Sequence, residues 1–145
     1  MQALCDAGVD FVVIGGLAAT LHGGAQVTYD LDICYSRASA NLRRLIEALA
    51  PFHPRPRAFP LDLPFVWDEA TMFATDIGEI DLLAKVTGLG AFDDVMQHSM
   101  AVEAFGRPII TLDLPGLIRA KRATGRPRDF AALAELESLL EAGDA

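Results

Sequence analysis

The run TYDLDICY, residues 28 to 35, constrains the fold more than any other stretch, because it alternates aspartate with apolar residues at a period of two. Side chains alternate across a strand, so Asp30 and Asp32 fall on one face and Leu31 and Ile33 on the other. Thr28 shares the carboxylate face. Aspartate is depleted in strands, and an unpaired buried carboxylate is costly. The strand therefore belongs to a sheet with one face on an apolar core and the other at a polar site.

A chain of 145 residues, 52% of them hydrophobic, is expected to form a single domain spanning residues 1–145 with a proper core. Its apolar runs fall short of the roughly 18 residues that a membrane span needs. No basic segment leads into an apolar core at Met1, so the expectation is a cytoplasmic protein with no membrane partner. Two cysteines, Cys5 and Cys34, are too few for a disulfide framework and read as reduced thiols. The net charge of −8 argues against a general polyanion binder. Ten of the twelve basic residues nonetheless fall in two segments, Arg37 to Arg57 and Arg119 to Arg128. Two basic walls beside an acidic centre would suit a phosphorylated substrate carrying metal ions.

Along the chain, Phe11 to Ile14 reads as a buried strand ended by Gly15-Gly16, with a helical turn over Leu17 to His22. A second strand covers Tyr29 to Tyr35, and an amphipathic helix covers Ser39 to Ala50, with Leu42, Leu45, Ile46 and Leu49 on one face. Proline ends that helix, and Pro51 to Pro64, with five prolines, reads as a stiff loop. Thr71–Ile77 and Glu79–Val86 suggest a hairpin at Gly78. A helix follows over Ala91 to Met100, then a hairpin over Val102 to Leu112. Asp113 caps a helix to Thr124, Gly125 stops it, and Pro127 opens the last one. The pattern predicts an α+β fold: a mixed, mostly antiparallel sheet flanked by helices, with a C-terminal helical pair.

Asp30 and Asp32, on one face, repel each other unless a proton or cation lies between them. Asp81 lies between Ile80 and Leu82 in the same pattern. Three strand-borne aspartates could hold two metal ions about 3.5–4 Å apart, the separation used in phosphoryl displacement. Mg²⁺ is the expected ion, with Mn²⁺ as a substitute, since it takes one or two carboxylates together with substrate phosphates. Gly15-Gly16 lets the backbone approach a ligand closely, and the following turn offers N–H groups to phosphate oxygens. Phosphate donors beside metal ligands point to nucleotide chemistry.

With GG followed after thirteen residues by DLD, and a third aspartate in GEIDLL, the chain resembles minimal nucleotidyltransferases of the DNA polymerase beta-like superfamily. The stretch LIRAKRATGRPRDFAAL is similar to an element of the toxin–antitoxin-associated branch, which includes AbiEii-type toxins. The resemblance implies that Asp30, Asp32 and Asp81 bind metal, with Asp81 also receiving the acceptor's proton. It further implies that Gly15 and Gly16 hold the triphosphate of an NTP such as ATP, that Lys121 reaches the outer phosphates, and that Asp129 orients Lys121 or the base. Relatives often carry serine where Gly16 stands and arginine where this chain has Gln26. The implied activity moves an NMP from an NTP to a hydroxyl acceptor, on a tRNA or other RNA end or on a small molecule, with a cognate antitoxin or toxin as a further partner. The rival is a non-catalytic nucleotide-binding or antitoxin-like module of the same fold.

Plainer roles are expected elsewhere. His22 bonds backbone, and His53 and His98 are surface residues. Asp76 and Glu79 flank a turn in solvent, and Trp67 is core or rim. Cys34 shares the metal face, yet Mg²⁺ ignores thiols.

Overall fold

The computed structural model describes residues 1–25, 30–56, 70–125, 127 and 129–144. A short helix, α1 (Gln2–Asp6), leads into β1 (Phe11–Ile14), all four of whose residues are buried. Gly15 has φ +66, a left-handed value that suits glycine, and α2 (Gly15–Leu21) starts on that residue rather than at Leu17. β2 (Leu31–Tyr35) carries the aspartate alternation.

α3 (Ser39–Leu49) buries Leu45, Ala48 and Leu49, while Ile46 turns outward and is 46% exposed, against its expected place on the apolar face. Asn41 is buried on the same helix and satisfied: its Nδ2 donates to Asp10 O and Ser36 O, and its Oδ1 accepts from Asp10 N. Pro51 sits inside a 3₁₀ turn, Ala50–Phe52, near its start, where a missing N–H costs no bond. The expected loop from Pro51 is therefore partly ordered structure, because Arg55–Pro56 forms β3 and pairs with β4 (Ala70–Thr75). The rest of that loop, residues 57–69 with Arg57 and Trp67, lies outside the described residues.

β4 and β5 (Gly78–Leu83) form a hairpin whose turn is Asp76-Ile77, with Thr75 opposite Gly78. β5 stops at Leu83, and the apolar run beyond it enters a separate small ribbon of β6 (Lys85–Val86) and β7 (Gly90–Ala91). The helix expected to reach Met100 is only α4 (Phe92–Met96). Ser99 Oγ donates to the Met96 carbonyl at 2.6 Å, a local bond that competes with continuing the helix, and β8 (Ser99–Ala104) starts there. β9 (Arg107–Leu112) returns through Phe105-Gly106, both at positive φ, which suits a two-residue hairpin turn.

α5 (Leu114–Thr124) is capped as expected. Asp113 Oδ1 accepts from Gly116 N at 2.7 Å, and Gly125 ends the helix at φ +62. α6 (Asp129–Asp144) begins two residues after Pro127, whose carbonyl accepts from Phe130 N. Leu117 and Leu136 are buried and Arg122 meets Glu137 at 2.6 Å, so α5 and α6 form the expected helical pair.

Among the described residues, seven strands make one sheet in the order β3-β4-β5-β2-β1-β9-β8. The β5/β2 and β1/β9 contacts are parallel, and the other pairings in the sheet are antiparallel. This is the mixed, mostly antiparallel sheet that the sequence implies. Leu31 and Ile33 share a face with Ile80 and Leu82. Leu31 and Ile80 line a cavity of about 160 Å³ with Leu4 of α1 and Leu49 of α3, so those helices cover that face. The aspartates point to the opposite face.

Candidate active site

The β2/β5 register sets Asp32 directly beside Asp81 on neighbouring parallel strands. Strands run about 4.8 Å apart, so two carboxylates project side by side from one sheet face. Both aspartates are half-buried, whereas Asp30 stands exposed just ahead of β2. On its other flank Asp32 faces Ile14, and the chain then turns at Gly15. A Cβ on Gly15 would lie 2.6 Å from Asp32 Oδ2, closer than any side chain tolerates. The first glycine thus makes room for the carboxylate, and its left-handed φ brings the backbone alongside it.

Among the described residues no three His, Cys, Asp or Glu side chains are grouped closely enough to hold an ion. The structure joins Asp32 with Asp81, and Asp30 does not complete a cage with them. The in-register pair still fits Mg²⁺, which binds through one or two hard carboxylates and leaves its other positions to water and phosphate oxygens.

Gly15 and Gly16 also border a cleft of about 250 Å³ between α2, α5 and α6. Lys121 enters it from α5, one turn beyond buried Leu117, and Thr20 enters it from α2. Thr20 Oγ1 donates to the Gly16 carbonyl at 3.1 Å. Two sequence candidates more than 100 residues apart, the glycine pair and Lys121, therefore line one cleft. Thr28 and Gln26 lie outside the described residues, as does the side chain of Asp129, whose backbone opens α6.

The cleft also holds a residue that no sequence pattern marks out. Glu135 of α6 lines it, and Glu135 Oε1 accepts from Ala25 N at 3.1 Å. Its partner is 110 residues away, and a glutamate inside a helix carries no local mark of such a role.

Several basic side chains are engaged with the protein itself. Arg37 Nη1 donates to the Tyr35 hydroxyl at 3.3 Å and Arg44 Nη1 to the Gly8 carbonyl at 3.4 Å. Arg55 lies 3.7 Å from Asp76, which also meets His53 Nδ1 at 2.6 Å, so Asp76 is an ion-pair partner rather than only solvated. Arg126 and Arg128 are outside the described residues. His22 Nε2 donates to the Leu112 carbonyl at 2.7 Å, the backbone role expected of it. Cys34, two residues past Asp32, is fully buried, and burial pushes its thiol up to about 12. It is a neutral filler on the carboxylate side of the sheet.

The same arrangement of strands and helices recurs in solved structures. TM1012 of Thermotoga maritima, a candidate nucleotidyltransferase, superposes with a TM-score of 0.61 at 18% identity, over 94% of this chain and 87% of that one. The lincosamide antibiotic adenylyltransferase LnuA, solved with lincomycin, gives 0.65 at 13% identity, over 95% and 92%. ANT(2″)-Ia, solved with adenylyl-2″-tobramycin, gives 0.64 at 14% identity, over 99% and 86%. The chain has the nucleotidyltransferase fold. No family model matches the sequence, and no curated protein sequence does. Within the nucleotidyltransferase fold, the chain sets its in-register aspartates and its glycine pair at one end of the β1–β2 pairing. Among the described residues, no helix is long and apolar enough to cross a membrane.

Proposed function

We propose that the chain is a nucleotidyltransferase that moves a nucleoside monophosphate from an NTP to a hydroxyl group and releases pyrophosphate. The observation that carries this reading is the Asp32–Asp81 pair, in register on parallel strands and packed against a glycine that has no room for a side chain. A purely structural sheet has no use for two adjacent carboxylates on half-buried strand positions.

In this reading Asp32 and Asp81 hold Mg²⁺, or Mn²⁺ in its place, with Asp30 at the mouth of the site. When bound, the metal supplies neutralisation of triphosphate charge and polarisation of the phosphorus under attack. Gly15 and Gly16 let the triphosphate lie against the backbone, and Lys121, across the same cleft, pairs with its outer phosphates. Asp81 takes the proton of the acceptor hydroxyl, and Thr28 and Asp129 complete the nucleotide contacts. Catalysis is then mostly positioning and charge compensation.

A small hydroxylated molecule is the favoured acceptor. LnuA and ANT(2″)-Ia were solved with small antibiotic ligands. The chain is acidic, and Arg37, Arg44 and Arg122, from the two basic segments, contact the protein's own groups. The RNA end and the toxin–antitoxin role implied by the sequence enter as the competing arm of the test. The protein is incubated with each α-labelled NTP, Mg²⁺, and either tRNA or a panel of hydroxylated small molecules. Pyrophosphate release with label in a small product supports the proposal, and label in tRNA moves the acceptor to RNA. Binding without turnover of any NTP favours the non-catalytic module, and release of inorganic phosphate instead of pyrophosphate overturns the reading in favour of a phosphohydrolase.

A further inference from the structure

One hydrogen bond and two close approaches join the turn after α2 to the last helix. Ala25 N donates to Glu135 Oε1 at 3.1 Å. A Cβ on Gly24 would stand 2.8 Å from that same oxygen and 2.9 Å from the Ala19 carbonyl oxygen, so the turn accepts the carboxylate only because residue 24 is glycine. One helical turn further along α6, Leu139 Cδ2 lies 3.6 Å from where a Cβ on Gly23 would be. Residues four apart share a helix face, so one stripe of α6 receives the whole Gly23-Gly24-Ala25 turn.

The position of the turn gives these contacts their meaning. Ala25 stands five residues before Asp30 and seven before Asp32. Gly24 and Glu135 border the same cleft as Gly15, Gly16 and Lys121. A carboxylate in a cleft meant for a triphosphate opposes the ligand's charge, so its presence calls for another task. Accepting the Ala25 N–H is such a task.

We infer that Glu135 is a positioning residue, whose carboxylate fastens the Gly23–Ala25 turn to α6 and thereby sets where the chain enters the aspartate strand. It acts through the backbone and touches no reacting group. Its effect on turnover rests on the nucleotidyl-transfer reading, whereas the tether does not.

The test uses the full chain as Glu135→Ala, Glu135→Gln and Gly24→Ala. Glutamine keeps a carbonyl oxygen for the Ala25 N–H, alanine removes it, and a methyl on residue 24 displaces it. Amide exchange at Ala25, followed by NMR, should speed up about tenfold in Glu135→Ala and Gly24→Ala and stay near wild type in Glu135→Gln. In the transfer assay kcat should fall about tenfold in Glu135→Ala with little change in KM for the NTP, and Glu135→Gln should restore it. A Glu135→Ala chain too unstable to assay leaves the same comparison to Gly24→Ala against Glu135→Gln. Unchanged exchange at Ala25 in both disrupting variants overturns the tether. A Glu135→Gln enzyme as slow as Glu135→Ala, with Ala25 still protected, overturns the positioning role. If the wild-type chain transfers nothing, the transfer reading falls together with the effect on turnover, and the exchange comparison still decides the tether.

Discussion

Gly15→Ala tests the most tightly specified contact of the site. Residue 15 has φ +66, where an alanine costs about 1–2 kcal/mol relative to the right-handed region. Its new methyl would also stand 2.6 Å from Asp32 Oδ2 and 3.3 Å from Asp32 Cβ and Cγ, and would push that side chain out of its rotamer. An off-rotamer side chain costs about 0.5–1.5 kcal/mol, which brings the expected loss to about 2–3 kcal/mol. For a chain of this size that lowers Tm by about 2–4 °C per kcal/mol. Gly106→Ala is the internal control, because Gly106 has φ +78 but no atom within 4 Å of its would-be Cβ. Both substitutions stiffen the unfolded chain alike, so that effect cancels between them. Urea denaturation should therefore show Gly15→Ala costing about 1 kcal/mol more than Gly106→Ala. The excess should disappear when Gly15→Ala is made in an Asp32→Ala background, a coupling that a double-mutant cycle resolves. Equal costs for the two glycines, or an excess that survives without the Asp32 carboxylate, would refute the claim that Gly15 is there to admit Asp32.

Asp32→Asn and Asp81→Asn should each lower pyrophosphate release by about 10²-fold or more while the melting temperature of the metal-free protein holds or rises, since each relieves repulsion between neighbouring carboxylates. Lys121→Ala should weaken NTP binding about tenfold in a fluorescence titration and leave the urea midpoint unchanged, because Lys121 is a half-buried cleft residue outside the core. Asp113→Ala removes the 2.7 Å cap on Gly116 N and should cost about 1 kcal/mol in the same denaturation assay. The Cys34 thiol titrates near 9.0 when unfolded and near 12 when folded, so the unfolded chain loses its proton first and stability falls as pH rises between those values. By pH 10, Cys34→Ala should have lost about 1.4 kcal/mol less than wild type, measured from urea midpoints at pH 8 and pH 10.

Elements written in local chemistry were legible in the sequence. Asp113 and Gly125 bracket α5 as their cap chemistry requires, and the alternation in β2 sorted Asp32 from Leu31 and Ile33 before any partner strand was known. What stayed hidden depends on distant partners. Nothing local to GEIDLL says that β5 lies parallel to β2 in the register that pairs Asp81 with Asp32. The Ser99 bond that ends α4 overrides a run that reads as helix to Met100, and Arg55–Pro56 becomes a strand only because β4 offers it an edge. α1 has only five residues, too few for a periodic signal. Of the candidate site, Gly15, Gly16, Asp32 and Asp81 could be chosen from residue type and spacing and Lys121 through the family resemblance, whereas Glu135 could not, because its meaning comes from a turn 110 residues away.

The paired aspartates also bear on how the chain reaches its fold. Because side chains alternate, a slip of one residue in β2 or β5 would turn Asp32 or Asp81 into the layer where Ile33 and Leu82 are fully buried. Such a misaligned sheet would bury a carboxylate under α1 and α3 at a cost of several kcal/mol, comparable to much of a small domain's net stability. The residues proposed for chemistry thus also penalise the nearest wrong alignments of the central strands. Replacing both with apolar residues to gain stability would remove that penalty, and the expected consequence is a chain that refolds more slowly and into more than one strand register.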